Sequence, residues 1–204
     1  LKCILDRPLD EELRRTSEPT RLAMNCSGKH AGMLATCVIN GWPIDSYLDP
    51  THPLQLAIKA EVEQMSGEKV AGVSVDGCGA PLFLFSLLGL ARAIRHLTIS
   101  TDPVHQEVAQ ACRDYPEMVS GPGRLATRMM QKIPGLFMKD GAEAVNVTSL
   151  ADGRTMAIKI SDGNARAMPA ITAAALAKFG IDAQEVPVNT LGAGLPVGTI
   201  RATL

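Results

Sequence analysis

The chain has 204 residues, 46% of them hydrophobic and 20% charged, with 20 Lys and Arg against 21 Asp and Glu for a formal net charge of -1. That length suits a globular core hiding roughly 70% of the unfolded surface, and with no basic cluster interleaved with aromatics it excludes a nucleic-acid partner. The longest apolar region, Ala80 to Ala91, falls short of the roughly 18 residues a bilayer crossing needs, so no membrane partner is expected either.

The opening, Leu1-Lys2-Cys3-Ile4-Leu5-Asp6, lacks both an initiator methionine and the basic head, apolar run and cleavage site of a secretory signal. The chain is therefore expected to start within a longer protein. Asp10-Glu11-Glu12-Leu13 opens a short helix. Ser27 to Asn40 forms a second, stopped by Gly41-Trp42-Pro43, and Pro53 to Ser66 a third, with Leu54, Ile58, Val62 and Met65 on one stripe and Gly67 past its end.

Val70 to Val75 reads as a short strand entering the tight turn Asp76-Gly77-Cys78-Gly79-Ala80-Pro81. Pro81 is expected to begin a helix over Leu82 to His96, apolar nearly all round at its start and so central and buried. Asp102 caps another helix with Pro103 in its first turn. After Pro134-Gly135 the period changes to that of strands, at Leu136 to Lys139, Ala142 to Leu150 and Arg154 to Ser161, the last two joined at Ala151-Asp152-Gly153. Ala165 to Phe179 is a closing helix, and the tail from Gln184, broken by Pro and Gly, receives no element. Helices, then antiparallel strands, then a covering C-terminal helix make an α+β protein.

Five cysteines at 3, 26, 37, 78 and 112 are odd in number and scattered, which is not a disulfide framework; a reducing cytoplasm is the expected setting. Cys37 and Cys112, among apolar helical neighbours, read as core thiols. Cys26 and Lys29 stand three apart at the mouth of a helix, where backbone N–H groups favour a thiolate. Cys78 lies between two glycines that let the backbone bend and leave the sulfur approachable. Two such thiolates can share a zinc ion, although with no Cys-x-x-Cys pair the spacing equally suits two partly buried thiols.

Gly28-Lys29 is not a phosphate loop, because Ala23 replaces the required glycine and His30 the hydroxyl residue. Ser27 and His30 remain site candidates, with a core or surface histidine the plainer reading of His30. Lys139-Asp140-Gly141-Ala142-Glu143 carries the Lys-x-Gly arrangement by which serine acyl-enzymes set a cation beside their serine. In Lys159-Ile160-Ser161-Asp162-Gly163-Asn164-Ala165-Arg166, Asp162 or Asn164 is expected to cap the last helix and Arg166 to form a surface ion pair.

Taken in this order, Asn25-Cys26-Ser27-Gly28-Lys29-His30-Ala31-Gly32-Met33-Leu34, Asp76-Gly77-Cys78-Gly79-Ala80-Pro81, the Lys139 segment and the Lys159 segment resemble the L-asparaginase II family of the thermolabile rhizobial type. The resemblance implies a body of serine β-lactamase and glutaminase type, residues 1–204 being the C-terminal part of one domain. It implies hydrolysis of asparagine to aspartate and ammonia, and zinc held by Cys26, Lys29, Cys78 and a water that Asp76 orients. It leaves a homodimer open. The family's Ser-x-x-Lys segment and second active-site serine would precede Leu1, so this chain alone is expected to be inactive. Ser66-Gly67-Glu68-Lys69 straddles a helix end and reads as chance. Lys139, rather than Lys159, is expected to face the nucleophile, because Gly141 shares its face while Lys159 is read as pointing to solvent near Asp162. Where the family motif has glycine this chain has Ala144, so the turn there is expected to be altered.

Overall fold

The computed structural model describes residues 20–22, 24–183 and 188–203, in two compact units, Leu1–Ser86 and Leu87–Leu204. The short helix expected at Asp10 to Leu13 lies outside the described residues. Helices and antiparallel sheets make up both units, an α+β organisation.

In the first unit, α1 (Ser27–Asn40) and α2 (Pro53–Ser66) have the bounds read from sequence. Gly41 ends α1 in the left-handed region at φ 67, its N–H returned to Cys37 and Val38. His52 starts α2, which sequence did not reveal: its Nδ1 accepts from Leu54 N at 3.1 Å, so its Nε2 carries the proton it donates to Pro43 O at 2.9 Å. Met33 and Cys37 of α1 pack on Leu54 and Ala80, with Trp42, Tyr47, Leu48 and Ile58 closing the cluster.

The chain then makes a hairpin. Strands β1 (Gly72–Val75) and β2 (Pro81–Leu84) pair antiparallel, Val73 opposite Phe83 and Val75 opposite Pro81. This overturns the expected helix over Leu82 to His96. Pro81 is the first residue of a strand, where its missing N–H costs nothing, and a short apolar run is ambiguous between helix and strand until a partner claims it. The helix begins only at Leu87. The expected burial fails as well, since Leu82, Leu84, Leu87 and Leu88 are all exposed. Two strands alone hold weakly. Glu68 braces the hairpin's exit, its carboxylate accepting from the Ser86 N–H and, at 2.9 Å, from the Ser86 hydroxyl.

The second unit opens with α3 (Leu87–Ile99) and α4 (Pro103–Asp114), the latter capped by Asp102 as expected, Val104 N donating to its carboxylate at 2.8 Å. Two helices that sequence did not mark follow, α5 (Pro116–Ser120) and α6 (Leu125–Lys132). A three-stranded antiparallel sheet comes next, in the order β3 (Phe137–Gly141), β4 (Val145–Ser149), β5 (Thr155–Lys159), and α7 (Met168–Lys178) after it. The sheet is clothed on both faces. Met138 and Met156 join Met129, Ile133 and Leu176 in a core under α6 and α7. On the other face Ser149 Oγ meets Thr98 Oγ1 of α3 at 2.7 Å and Thr155 Oγ1 at 2.8 Å. A final hairpin, β6 (Val188–Gly192) with β7 (Leu195–Ile200), occupies the tail to which sequence assigned nothing.

Between β3 and β4 the chain does not continue as strand from Ala142 but makes a 3-10 turn, with Glu143 and Ala144 both at φ 56. Ala144 thus takes the left-handed conformation that glycine favours, and the residue is 4% exposed. Releasing left-handed strain returns about 1–2 kcal/mol, against about 0.8 kcal/mol for the lost methyl burial and about 0.5–1 kcal/mol of glycine entropy. Ala144→Gly is therefore expected to be near neutral in urea unfolding. Ala126→Gly, the same deletion inside α6, is expected to cost about 2 kcal/mol. Equal losses at the two positions would refute the strain argument.

Candidate functional site

Cys26 stands at the N-terminal boundary of α1 and makes no capping bond with its side chain, so its sulfur is free for other partners. Asp76 and Cys78 lie in the loop of the first unit's hairpin, which Asp76 N closes on Ala80 O and Gly79 N on Asp76 O, both at 2.8 Å. Gly79 at φ 88 permits this tight return. The loop brings Asp76 and Cys78 to the mouth of α1, where one ligand atom each from Cys26, Asp76 and Cys78 lies within 4.8 Å of the others. Both cysteines are free thiols, half-buried.

Lys29, one turn into α1, donates from Nζ to Asp76 Oδ2 at 2.9 Å, and Cys78 Sγ donates to the same oxygen at 3.4 Å. The second carboxylate oxygen accepts from Gly77 N at 2.8 Å. The hydrogen bond from Lys29 holds the Asp76 carboxyl below its ordinary range, with the Gly77 N–H and the Cys78 thiol adding to the pull against burial. Burial works to lower Lys29, but its bonds to Asp76 and Cys78 and the charge of Cys26 win, and the amine is raised. The pair is partly exposed, at 44% and 35% of the side chains, and contributes under about 1 kcal/mol to stability.

A thiolate favoured by the helix terminus was the expectation for Cys26. The thiol is instead pushed up: burial is the largest cause, Lys29 pulls against it, and Cys78 and Asp76 add to the rise. Three groups that become anionic crowd one point, and a divalent cation relieves that crowding. Two thiols and a carboxylate beside an amine are a donor set that suits zinc.

His30 faces inward, 8% exposed, with Nδ1 2.7 Å from the Tyr47 hydroxyl and the two rings edge to face at 5.8 Å. Burial and then Lys29 hold its pKa below the ordinary value, against Asp76. Ser27, the first residue of α1, is half-buried. A cavity of about 320 Å³ adjoins these groups, lined among others by Ser27, His30, Leu34, Tyr47, Leu48 and Cys78. Tyr47 was not marked in the sequence, being a lone aromatic in a turn.

Ser66 and Lys69 do not form a pair. Ser66 is fully buried, its hydroxyl near the carbonyls of Glu63 and Glu68, while Lys69 Nζ binds Glu63 Oε2 at 2.6 Å.

The remaining candidates lie in the second unit. Lys139 sits opposite Val147 and Val147 opposite Ala157, while Gly141 sits opposite Val145 and Val145 opposite Lys159. Paired residues share a face and the side-chain period is two, so Lys139, Gly141 and Lys159 all project from one face, the face that α3 covers. This corrects the expectation that the two lysines differ in orientation. Both are exposed, and each amine turns back on its own strand, Lys139 to Asp140 O and Lys159 to Ile160 O. Asp162 does not pair with Lys159; it binds Arg166 at 3.0 Å. Neither Asp162 nor Asn164 caps the last helix: Asn164 caps a short 3-10 turn at Ala165–Ala167, accepting from Arg166 N at 2.9 Å, and α7 starts behind Ala167 with no side-chain cap. Cys37 is fully buried, as expected of a core thiol, whereas Cys112 is only half-buried.

No helix among the described residues is long and apolar enough to cross a membrane. A search of the curated proteins found no match. The L-asparaginase II family model matches residues 1–197, a span that takes in the cysteine segments and both lysine strands, and the chain accordingly belongs to the L-asparaginase II family.

Proposed function

We propose that this chain contributes to hydrolysis of the side-chain amide of L-asparagine, with zinc held by Cys26, Cys78 and Lys29 and with Asp76 beside them. The observation that carries the reading is the convergence of Cys26, Asp76 and Cys78 donor atoms within 4.8 Å in a chain of an amidohydrolase family. Bound zinc would supply positive charge that fixes polar groups of the substrate site. The chain's own residues do the rest: without the metal Asp76 holds the protonated Lys29, whose amine must give up that proton to become a zinc ligand, and Lys139 offers a cation to a reacting serine. In this reading that serine is supplied from outside the described residues. A body of serine β-lactamase type agrees with a three-stranded antiparallel sheet clothed by helices on both faces.

The choice of Lys139 over Lys159 rests on Gly141. Its backbone is extended, at φ -125 and ψ 172, and a Cβ there would meet Val145 at an ordinary 3.6 Å. Nothing among the described residues requires glycine at this position, so the bare edge beside Lys139 suits the approach of a substrate amide. The test is ammonia release by the product of the full reading frame. It is expected to act on asparagine, and Lys139→Ala to lower turnover roughly 10²-fold or more through lost proton transfer. A greater loss from Lys159→Ala than from Lys139→Ala hands the role to Lys159. If the full reading frame ends at these residues and releases no ammonia while binding zinc, a metal-binding paralogue without catalysis is the correct reading. Hydrolysis of a different amide in preference to asparagine would point to another acyl-enzyme on the same fold.

A further inference from the structure

We propose that Cys26 and Cys78 are an oxidation site: hydrogen peroxide joins them in a reversible disulfide, and the chain then loses its hold on zinc, a control that rests on the zinc reading above. Both thiols are free and half-buried. Cys78 also lines the cavity of about 320 Å³ beside α1, which admits a molecule of that size. Of the other described cysteines, Cys37 exposes none of its surface, and Cys112 stands in the second unit.

Protein contacts other than the cysteines bring the two sulfurs together. Lys29 Nζ donates to Asp76 Oδ2 at 2.9 Å, and the loop that carries Asp76 is closed by Asp76 N on Ala80 O and Gly79 N on Asp76 O, both at 2.8 Å. An ion pair therefore clamps the loop on the mouth of α1. Within that clamp Cys78 Sγ donates to Asp76 Oδ2 at 3.4 Å, and the sulfurs of Cys26 and Cys78 lie within 4.8 Å of each other. A disulfide holds its sulfurs about 2.0 Å apart, so the pair closes over less than about 3 Å. The groups that must move have room to do so. Cys26 makes no capping bond with its side chain. Cys78 lies between Gly77 and Gly79, both exposed, and a Cβ at Gly77 would meet nothing within 4 Å. Their loop joins only two strands, a weakly held arrangement.

One thiolate attacks an oxygen of the peroxide. The S–O bond forms as the O–O bond breaks, the departing hydroxide takes a proton to become water, and a sulfenic acid remains. The second thiolate attacks that sulfur, the S–S bond forms as the S–O bond breaks, and a second water leaves. The two sulfurs together give up two electrons, which the peroxide accepts. Metal binding needs the thiolate, so the oxidised chain keeps only Lys29 and Asp76 of its donor set. A dithiol reductant reverses the change by exchange, becoming a disulfide itself and returning both thiols.

The test treats the zinc-loaded chain with hydrogen peroxide in rising excess. A chromophoric indicator reads released zinc, a thiol reagent counts free thiols, and the mass of the denatured chain identifies the product. One zinc is expected to leave for each pair of thiols lost, with the chain two hydrogens lighter and a non-reducing digest linking Cys26 to Cys78. The oxidised chain is expected to bind zinc more than about a hundredfold more weakly, since losing even a supporting group costs roughly 10–100-fold, and dithiothreitol to restore the binding. Cys26→Ser and Cys78→Ser are each expected to abolish the two-hydrogen loss, and Cys112→Ser to leave it unchanged. Thiols that stay intact, oxidation that stops at sulfur–oxygen products, or a crosslink through another cysteine overturns the switch and leaves the zinc reading standing. A chain that holds no zinc before peroxide is added overturns that reading and the switch with it.

Discussion

Cys26→Ser and Cys78→Ser are each expected to lower zinc affinity more than about a hundredfold, since losing a group that merely supports a ligand already costs roughly 10–100-fold. Metal content of protein purified without chelator, followed by competition with a chromophoric chelator, measures the loss. The unmodified chain is expected to carry about one zinc ion, because two thiolates from separate segments need only one soft cation between them. Cys112→Ser, a change at a half-buried thiol of the other unit, is expected to leave the content unchanged. Lys29→Met and Asp76→Asn then identify the third ligand. If Lys29 binds the metal, its loss falls in the class of the cysteines and Asp76→Asn stays within the supporting class; the reverse order makes Asp76 the ligand and Lys29 its partner. A chain that takes up no zinc and instead joins Cys26 to Cys78 on oxidation would remove the metal from the proposal altogether.

The sequence carried some of this and not the rest, for identifiable reasons. Helices α1 and α2 were legible to the residue because Gly41 and Gly67 take the left-handed conformation that ends a helix. The strand Pro81–Leu84 was not, because Leu82, Phe83 and Leu84 fit a helix as well as a strand until Ser74 and Val73 are seen opposite them. The tail hairpin Val188–Gly192 and Leu195–Ile200 was hidden by the Pro and Gly residues that punctuate it. Spacing alone could not join Cys26 to Cys78, since 51 intervening positions give no period; the motif order did. The partners of those groups, Tyr47 on His30 and Lys29 on Asp76, are long-range pairs that only the fold reveals.

The 204-residue chain by itself is expected to release no ammonia from asparagine above a heat-killed control. Covalent amide hydrolysis begins with a nucleophile that is both accessible and beside a base. Ser66 fails on the first count, being fully buried, and its hydroxyl is turned to the carbonyls of Glu63 and Glu68. It fails on the second because the Lys69 amine is bound to Glu63 Oε2 at 2.6 Å. Ser149 is also buried and shared between Thr98 and Thr155. Ser120 is bound to Asp140 at 2.8 Å in the second unit. Zinc and cationic side chains without a nucleophile leave only binding and electrostatic stabilisation, which in a triad enzyme stripped of its nucleophile retains a residual of roughly 10³–10⁴-fold over water, far below the rate of a working amidohydrolase. Ammonia produced at a turnover typical of enzymes would place the nucleophile inside these residues. Suspicion would then fall on Ser27, half-buried at the start of α1 and lining the cavity beside Cys78 and His30, and Ser27→Ala would have to abolish the activity.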